Sequence, residues 1–430
     1  MAIVFVLVIL VALAVLGGLH WYLWRRLIRD TAARGSVWRR LGTGVFVVAP
    51  LLTLTTFLGA RAGLPFGVTR VLAWPGYLWL AVVLYLTLGV VAGEVVRPAL
   101  TWCLRRRATR AAAAPAPGPE PVMVPADGPV PAPADTAPAD TAPADTAPAD
   151  MTGGTAADLS RRRFVTRLTA GAAAAAAVGT AAYGTYGVLR GPRVKHVTVP
   201  LAKLPRSAHG FRIAVVSDIH LGPTLGRGFA ERVVATVNST QPDLIAVVGD
   251  LVDGSVDELR SAVEPIAGLR ARHGAFFVTG NHEYFSGVRE WETHVRELGL
   301  RLLANERVEL PAFDLAGVND VTGAGHDDGP DIAAALDGRD PARASVLLAH
   351  QPVFVDESVR HGVDLQLSGH THGGQLWPLN YVMGLTNPAV AGLSHFGDTQ
   401  LYVTRGAGAW GPPTRVAAPS DVTVVELTGR

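Results

Sequence analysis

Apolar and polar positions divide the chain into three regimes. No charged residue interrupts Met1–Trp24, Leu41–Ala60 or Val71–Gly93. Each run has about the ~20 residues that cross a hydrocarbon core. Trp and Tyr near their ends favour membrane spans over buried soluble helices. A second regime follows, in which Ala, Pro and Asp alternate and the unit TAPAD recurs at Thr136, Thr141 and Thr146. Such a pattern builds no core and predicts an extended spacer over residues 108–158. From about Gly191 the apolar runs shorten to strand length. They are FRIAVVS from Phe211, DLIAVVG from Asp243, GAFFVTG from Gly274, FDLAGV from Phe313, ASVLLA from Ala344, VDLQLS from Val363 and QLYVTR from Gln400. GFAERVVATVN and VDELRSAVEPIAGLR between the first of them have helical spacing, and DVTVVEL from Asp421 reads as a closing strand. Alternating strand and helix predicts an α/β fold around a buried sheet.

Charge orients this arrangement. The net charge of +2 hides an asymmetry: +10 over residues 1–107, −6 over 108–158, +5 over 159–190 and −7 over 191–430. Arginines crowd the loop after the first run (Arg25 to Arg40) and follow the third (Arg97 to Arg110), whereas only Arg61 and Arg70 lie between the second and third. Loops rich in arginine stay on the cytoplasmic side. The N-terminus is then expected outside and the third span exits inward. Ser160, Arg161, Arg162, Phe164 and Val165 resemble a twin-arginine export signal, followed by the uncharged, Ala-rich Leu168–Leu189. An uncleaved anchor over 159–190 is expected, and it sends residues 191–430 outward. The expected division is therefore a three-span membrane region (1–107), a linker (108–158), a signal or anchor helix (159–190) and a catalytic domain (191–430). No charged residue lies inside the spans, so an ion pathway lacks support.

Composition narrows the chemistry. The single cysteine, Cys103, excludes an intrachain disulfide. An acidic C-terminal region argues against nucleic acid as a partner, since phosphate backbones need Lys and Arg. Twelve of the 13 histidines follow residue 190. Five of the predicted strands end in polar, ligand-type residues: Asp218 and His220; Asp250, with Asp253 beyond; Asn281 and His282; His350; His370 and His372. The C-terminal edge is where open α/β sheets place their sites. Imidazoles, carboxylates and one amide oxygen suit Mn, Fe or Zn, and no thiolate is offered for a softer ion. About seven ligands are too many for one ion with an open position and fit two. Gly249, Gly280 and Gly369 precede the ligands and allow tight turns beside an ion. His370 and His372, two apart, are expected to face a common side of an extended segment and to serve different ions.

In this order, DIH, GDLVD, GNHE, a lone histidine after a strand and GHTH resemble the calcineurin-like metallophosphoesterases, over nearly all of residues 210–428. GHTHGGQ and the tail LYVTRGAGAWGPPTR are similar to its bacterial membrane-anchored branch. The resemblance implies a four-layer α/β/β/α sandwich and a dinuclear centre. It implies that Asp218, His220 and His372 hold one metal, that Asn281, His350 and His370 hold the other, and that Asp250 bridges them. His282 would face the phosphate as proton donor or charge stabiliser, and Asp253 would orient a ligand or the backbone rather than bind metal. A metal-bridging hydroxide would attack phosphorus in line, with His282 assisting the leaving group.

The expected function is a membrane-anchored phosphodiesterase or pyrophosphohydrolase with two divalent ions, manganese among them. An envelope phosphoester, a lipid-linked one included, is its expected substrate. A phosphomonoesterase and a non-enzymatic metal-binding sensor are the alternatives. His196, His209, His273, His294, His326, His361 and His395 are expected to be surface or core residues. Arg405 and the loop GAGAWG stand open between lining the pocket and forming a plain turn.

Overall fold

The computed structural model describes residues 2–59, 62–112 and 156–429. Four long helices come first: α1 (Ala2–Trp24), α2 (Val37–Gly59), α3 (Phe66–Ala112) and α4 (Ala156–Leu189). Among the described residues, Val37–Gly59, Phe66–Arg107 and Arg163–Leu189 are long and apolar enough to cross a membrane. The α3 helix runs 19 residues past the uncharged stretch that ends at Gly93. Leu, Ala and Arg are strong helix formers. Glu94 also receives Arg26 at 2.7 Å and Arg97 at 3.1 Å, which offsets the first charges of that extension. The spacer expected over 108–158 lies mostly outside the described residues. Its ends, Ala108–Ala112 and Ala156–Asp158, are helical.

Twelve strands form two six-stranded sheets. In chain order they are β1 (Arg193–Leu201), β2 (Phe211–Val216), β3 (Leu244–Val248), β4 (Ala275–Val278), β5 (Arg301–Leu302), β6 (Glu306–Glu309), β7 (Phe313–Gly317), β8 (Ala344–Leu348), β9 (Leu365–Ser368), β10 (Gly392–Phe396), β11 (Thr399–Val403) and β12 (Asp421–Gly429). The sheet orders are β1-β12-β2-β3-β4-β5 and β10-β11-β9-β8-β7-β6. The strands that precede the site residues, β2-β3-β4 and β8-β9, are mutually parallel. Parallel strands are covered on both faces, which is why they read as unbroken apolar runs.

The period of two sorts these side chains between layers. Ile213, Val215, Leu244, Ala246 and Val248 meet Leu315, Val346, Leu348, Leu365 and Leu367 in the core between the sheets. The alternate residues Ala214, Val216, Ile245 and Val247 face outward onto helices α5 (Arg227–Ser239), α6 (Val256–Val263) and α8 (Val288–Glu297), with the short α7 (Asn281–Phe285) between the last two. On the other side, Ala316 and Leu347 pack with Ile332 and Ala335 of α9 (Ile332–Ala335) and with Phe354, which leads into α10 (Val355–Arg360). A last short helix, α11, spans Leu379–Met383. The architecture is a four-layer α/β/β/α sandwich.

The DVTVVEL segment does more than close the fold. β12 lies inside its sheet, parallel to β1 and antiparallel to β2. The described residues fall into two compact units, Met1–Ser36 with Leu88–Ala173, and Val37–Thr87 with Ala174–Arg430. The second unit contains both sheets and the N-terminal part of α3.

Candidate metal centre

β2, β3 and β4 of one sheet and β8 and β9 of the other all release the chain at the same edge. Asp218 and His220 follow β2, Asp250 follows β3, Asn281 opens α7 after β4, His350 follows β8, and His370 and His372 follow β9. Three overlapping groups of ligand atoms converge there, each within 4.8 Å: Asp218, His220 and His372; His220, Asp250 and His282; Asp250, His350 and His370. Asn281 joins the last through its Oδ1, 3.0 Å from His370 Nδ1. All eight residues singled out in the sequence are thus brought together.

The backbone is bent to achieve this. Asp218, His220, Asp250, His370 and His372 have φ of 52°, 50°, 53°, 70° and 52°. Left-handed backbone at a residue other than glycine costs about 1–3 kcal/mol and persists only where its surroundings enforce it. Gly249 takes φ 76° just before Asp250, the conformation glycine adopts freely. Gly369 serves a different need: a Cβ there would collide with Ser217 and Asp218. His370 and His372 do not lie on an extended segment, as expected from their spacing. β9 ends at Ser368, and both sit in a tight left-handed loop that a sheet edge cannot continue. The loop still sends them apart. His370 stands beside Asn281 and His350, while His372 Nε2 meets His220 Nε2 at 3.0 Å and Asp218 Oδ1 at 3.3 Å.

Tautomers follow from the partners. Val248 O can only accept, so His350 Nδ1, 2.8 Å away, carries a proton. Its Nε2 is buried, lacks a satisfactory hydrogen-bond partner and points at Asp250 Oδ2, 3.2 Å away. Asp253 Oδ1 lies 2.9 Å from His220 Nδ1 and 2.6 Å from His282 Nδ1, so one carboxylate orients both rings. Carboxylate or carbonyl partners of this kind fix an imidazole so that the other nitrogen can bind a cation. A buried imidazole nitrogen that faces a carboxylate in this way fits a divalent ion.

The family description "Calcineurin-like phosphoesterase" matches residues 211–374. A "Transmembrane protein with metallophosphoesterase domain" from Danio rerio is 39% identical over 263 residues, 57% of this chain and 60% of that one. An uncharacterized metallophosphoesterase from Helicobacter pylori is 37% identical over 247 residues, 57% of this chain and 66% of that one. The chain thus spans less than two thirds of either relative. Another, from Aquifex aeolicus, is 34% identical over 243 residues, 55% of this chain and 92% of that one. The chain belongs to the calcineurin-like metallophosphoesterases.

In this metallophosphoesterase, charge and burial oppose each other at Asp250, His350 and His282. Burial alone would raise Asp250, but the His350 imidazole outweighs it and holds the carboxyl well below its usual range. Burial would lower His350, and Asp250 reverses that and holds it well above the ordinary value. For His282, burial again lowers, and the hydrogen bond it donates to Asp253 carries the ring up to about 9. His372 is pushed well down by burial, by His220 and by Arg415.

Two supporting residues escaped sequence reasoning, and a third does more than was expected of it. Glu283 is buried and accepts from Gly280 N at 2.6 Å, Asp250 N at 3.0 Å and Leu251 N at 2.8 Å, tying two ligand loops together. Its signal was the last letter of GNHE, an acidic residue in the first turn of a helix. Asp253 serves two rings rather than one. Arg415, from the GPPTR tail, donates through Nη1 to His372 O at 3.0 Å and through Nη2 to His372 Nδ1 at 2.9 Å. These contacts fix the His372 ring with its Nε2 toward His220 and Asp218. Of the residues left open, Trp410 lines the cavity over the site, while Arg405 faces Asp421 at 3.9 Å. The other seven histidines after residue 190 belong to none of the three ligand groups.

Proposed function

We infer that the chain is a membrane-attached hydrolase of phosphoesters that works with two divalent ions, manganese, iron or zinc. Asp218, His220 and His372 hold one ion, Asn281, His350 and His370 the other, and Asp250 lies between them. The observation that carries this reading is the placing of Asp250. Its Oδ2 stands 3.2 Å from His350 Nε2 and 3.7 Å from His220 Nε2, and these two nitrogens belong to the two different ligand groups.

When bound, the ions supply a water of lowered pKa and positive charge for the phosphoryl oxygens. The protein's own groups do the rest. Glu283 accepts from the Asp250 backbone amide, and the His282 amide donates to Asp250 Oδ1 at 2.9 Å and holds that carboxylate in place. Asp253 keeps His282 protonated near neutral pH and turns its Nε2 toward the cavity. In the reaction a water oxygen bonds to phosphorus, the bond from phosphorus to the leaving oxygen breaks, and His282 delivers a proton to that oxygen. The water's proton restores His282 by way of solvent. No covalent phosphoenzyme is needed.

A phosphodiester or pyrophosphate of the cell envelope, lipid-linked substrates included, is the substrate class this reading favours. The apolar helices, the twin-arginine-like Ser160–Val165 and the arginine-rich loops support a membrane-attached domain facing outward, in the bacterial anchored branch. Side-by-side assays of bis-p-nitrophenyl phosphate and p-nitrophenyl phosphate, with Mn²⁺ restored after chelation, test the reading. Metal-dependent cleavage of the diester is expected. Cleavage of the monoester alone would replace it with a phosphatase, and cleavage of neither with metal bound would replace it with a sensor.

A further inference from the structure

A cavity of about 550 Å³ opens over Asp250, Asn281, His282, His370 and His372. Its size is that of a site for a small organic ligand, but its walls suit few polar molecules. Leu376, Leu379, Met383 and Trp410 form one side, and no lysine or arginine is among the described lining residues. Leu80 and Leu84 of α3 line it as well. These stand one turn apart on a single helix face, inside the uncharged run expected to cross the membrane. The junction is fixed by direct contacts. Tyr85 donates to Trp377 O at 3.0 Å, and the Phe57 ring meets the Trp410 ring edge-on at 6.4 Å. Thr185 and Thr414 share a hydrogen bond of 2.7 Å.

Around the mouth the apolar character continues outward. Phe285, Tyr381, Val382 and Leu385 are exposed large hydrophobic residues. Exposed apolar clusters of this kind beside a cavity mark contact with a ligand or a membrane. A path without charge therefore runs from the ligand groups along a candidate membrane span.

We propose that the substrate is a membrane lipid whose hydrocarbon chain lies along Leu80, Leu84, Leu379, Met383 and Trp410, with its phosphoester over Asp250 and His282. The α3 span is then a wall of the active site that selects the chain, besides being an anchor. This inference rests on the phosphoesterase reading and narrows it to one substrate class. A nucleic acid or a free nucleotide does not fit, because the described lining residues offer no cation besides His282 for a second phosphate.

The test uses the full-length protein in detergent with Mn²⁺ and a series of p-nitrophenyl alkyl phosphodiesters from methyl to dodecyl. Bis-p-nitrophenyl phosphate reports on the metal chemistry separately. Each methylene seated on the wall is expected to raise kcat/KM by about fourfold, so three or four of them give on the order of 10²-fold. Leu84→Trp and, independently of the span, Met383→Trp fill the groove. Each is expected to bring the dodecyl-to-methyl ratio close to one while metal stoichiometry is retained. A flat chain-length series in the wild type overturns the proposal, as does a steep series that both variants keep. Absence of bis-p-nitrophenyl phosphate hydrolysis in the metal-loaded protein overturns the underlying phosphoesterase reading instead.

Discussion

At His282 and Asp253 two residues divide one task. His282 Nε2 is the only imidazole nitrogen of the cluster that the account leaves to the substrate, and Asp253 sets its charge. His282→Ala is expected to lower kcat for diesters by about 10²–10⁴-fold, the usual range for loss of a general acid. The loss should be smaller for p-nitrophenolate, which needs little protonation, than for alkyl leaving groups, as steady-state kinetics on both would read. Asp253→Asn is expected to weaken metal binding by about 10–100-fold, because it loosens His220 as well; competition with a chelator measures this. Metal uptake also has a proton signature. The metal-free site holds His350 protonated, its value raised well above the ordinary one by Asp250. An ion can take the Nε2 lone pair only after that proton leaves. Affinity should therefore rise with pH through the neutral range, and titration calorimetry in buffers of different ionisation enthalpy should find protons released. Uptake without proton release would show that His350 is neutral. The eight site residues were legible because each sits in a short polar motif directly after an apolar run. The second ring held by Asp253 and the roles of Glu283 and Arg415 were not, because a hydrogen bond between loops far apart in sequence leaves no mark on local pattern.

Strands and loops obey a different logic from single residues. Buried parallel strands such as IAVV in β3 are continuous apolar runs and were readable from the sequence. β1, β5, β6 and β10 were not: β5 has two residues and β6 is ERVE, while β1 alternates Arg, Lys and His with valine and contains Pro200. Edge strands are kept short or polar so that they do not pair with other chains, which also hides them. The spacing of His370 and His372 was read as strand geometry, but the ligands lie in left-handed loops that period-two reasoning does not describe. The loops have little slack. Gly369→Ala, whose Cβ would strike Asp218, is expected to cost about 1–3 kcal/mol of stability and to lose metal occupancy out of proportion, as denaturation and metal analysis together would record. Trp291 of α8 is fully buried and donates to Gly254 O at 3.0 Å. Trp291→Ala is expected to cost about 3–5 kcal/mol, with activity falling only as the folded fraction falls.

For the molecule as a whole, the sandwich supplies a rigid edge and the apolar helices supply a place. Residues 191–430 are expected outside the cytoplasm, so protease added to intact cells or spheroplasts should degrade them; protection would reverse the orientation. The central claim is metal-dependent phosphodiester hydrolysis at the junction of the two sheets. Its most direct measurement takes the full-length protein, stripped by chelation and titrated with Mn²⁺, and follows bis-p-nitrophenyl phosphate beside Asp250→Asn. Hydrolysis should return as two ions bind per chain, and Asp250→Asn should lack it while remaining folded. Two bound ions with no hydrolysis, or equal hydrolysis by Asp250→Asn, would contradict it.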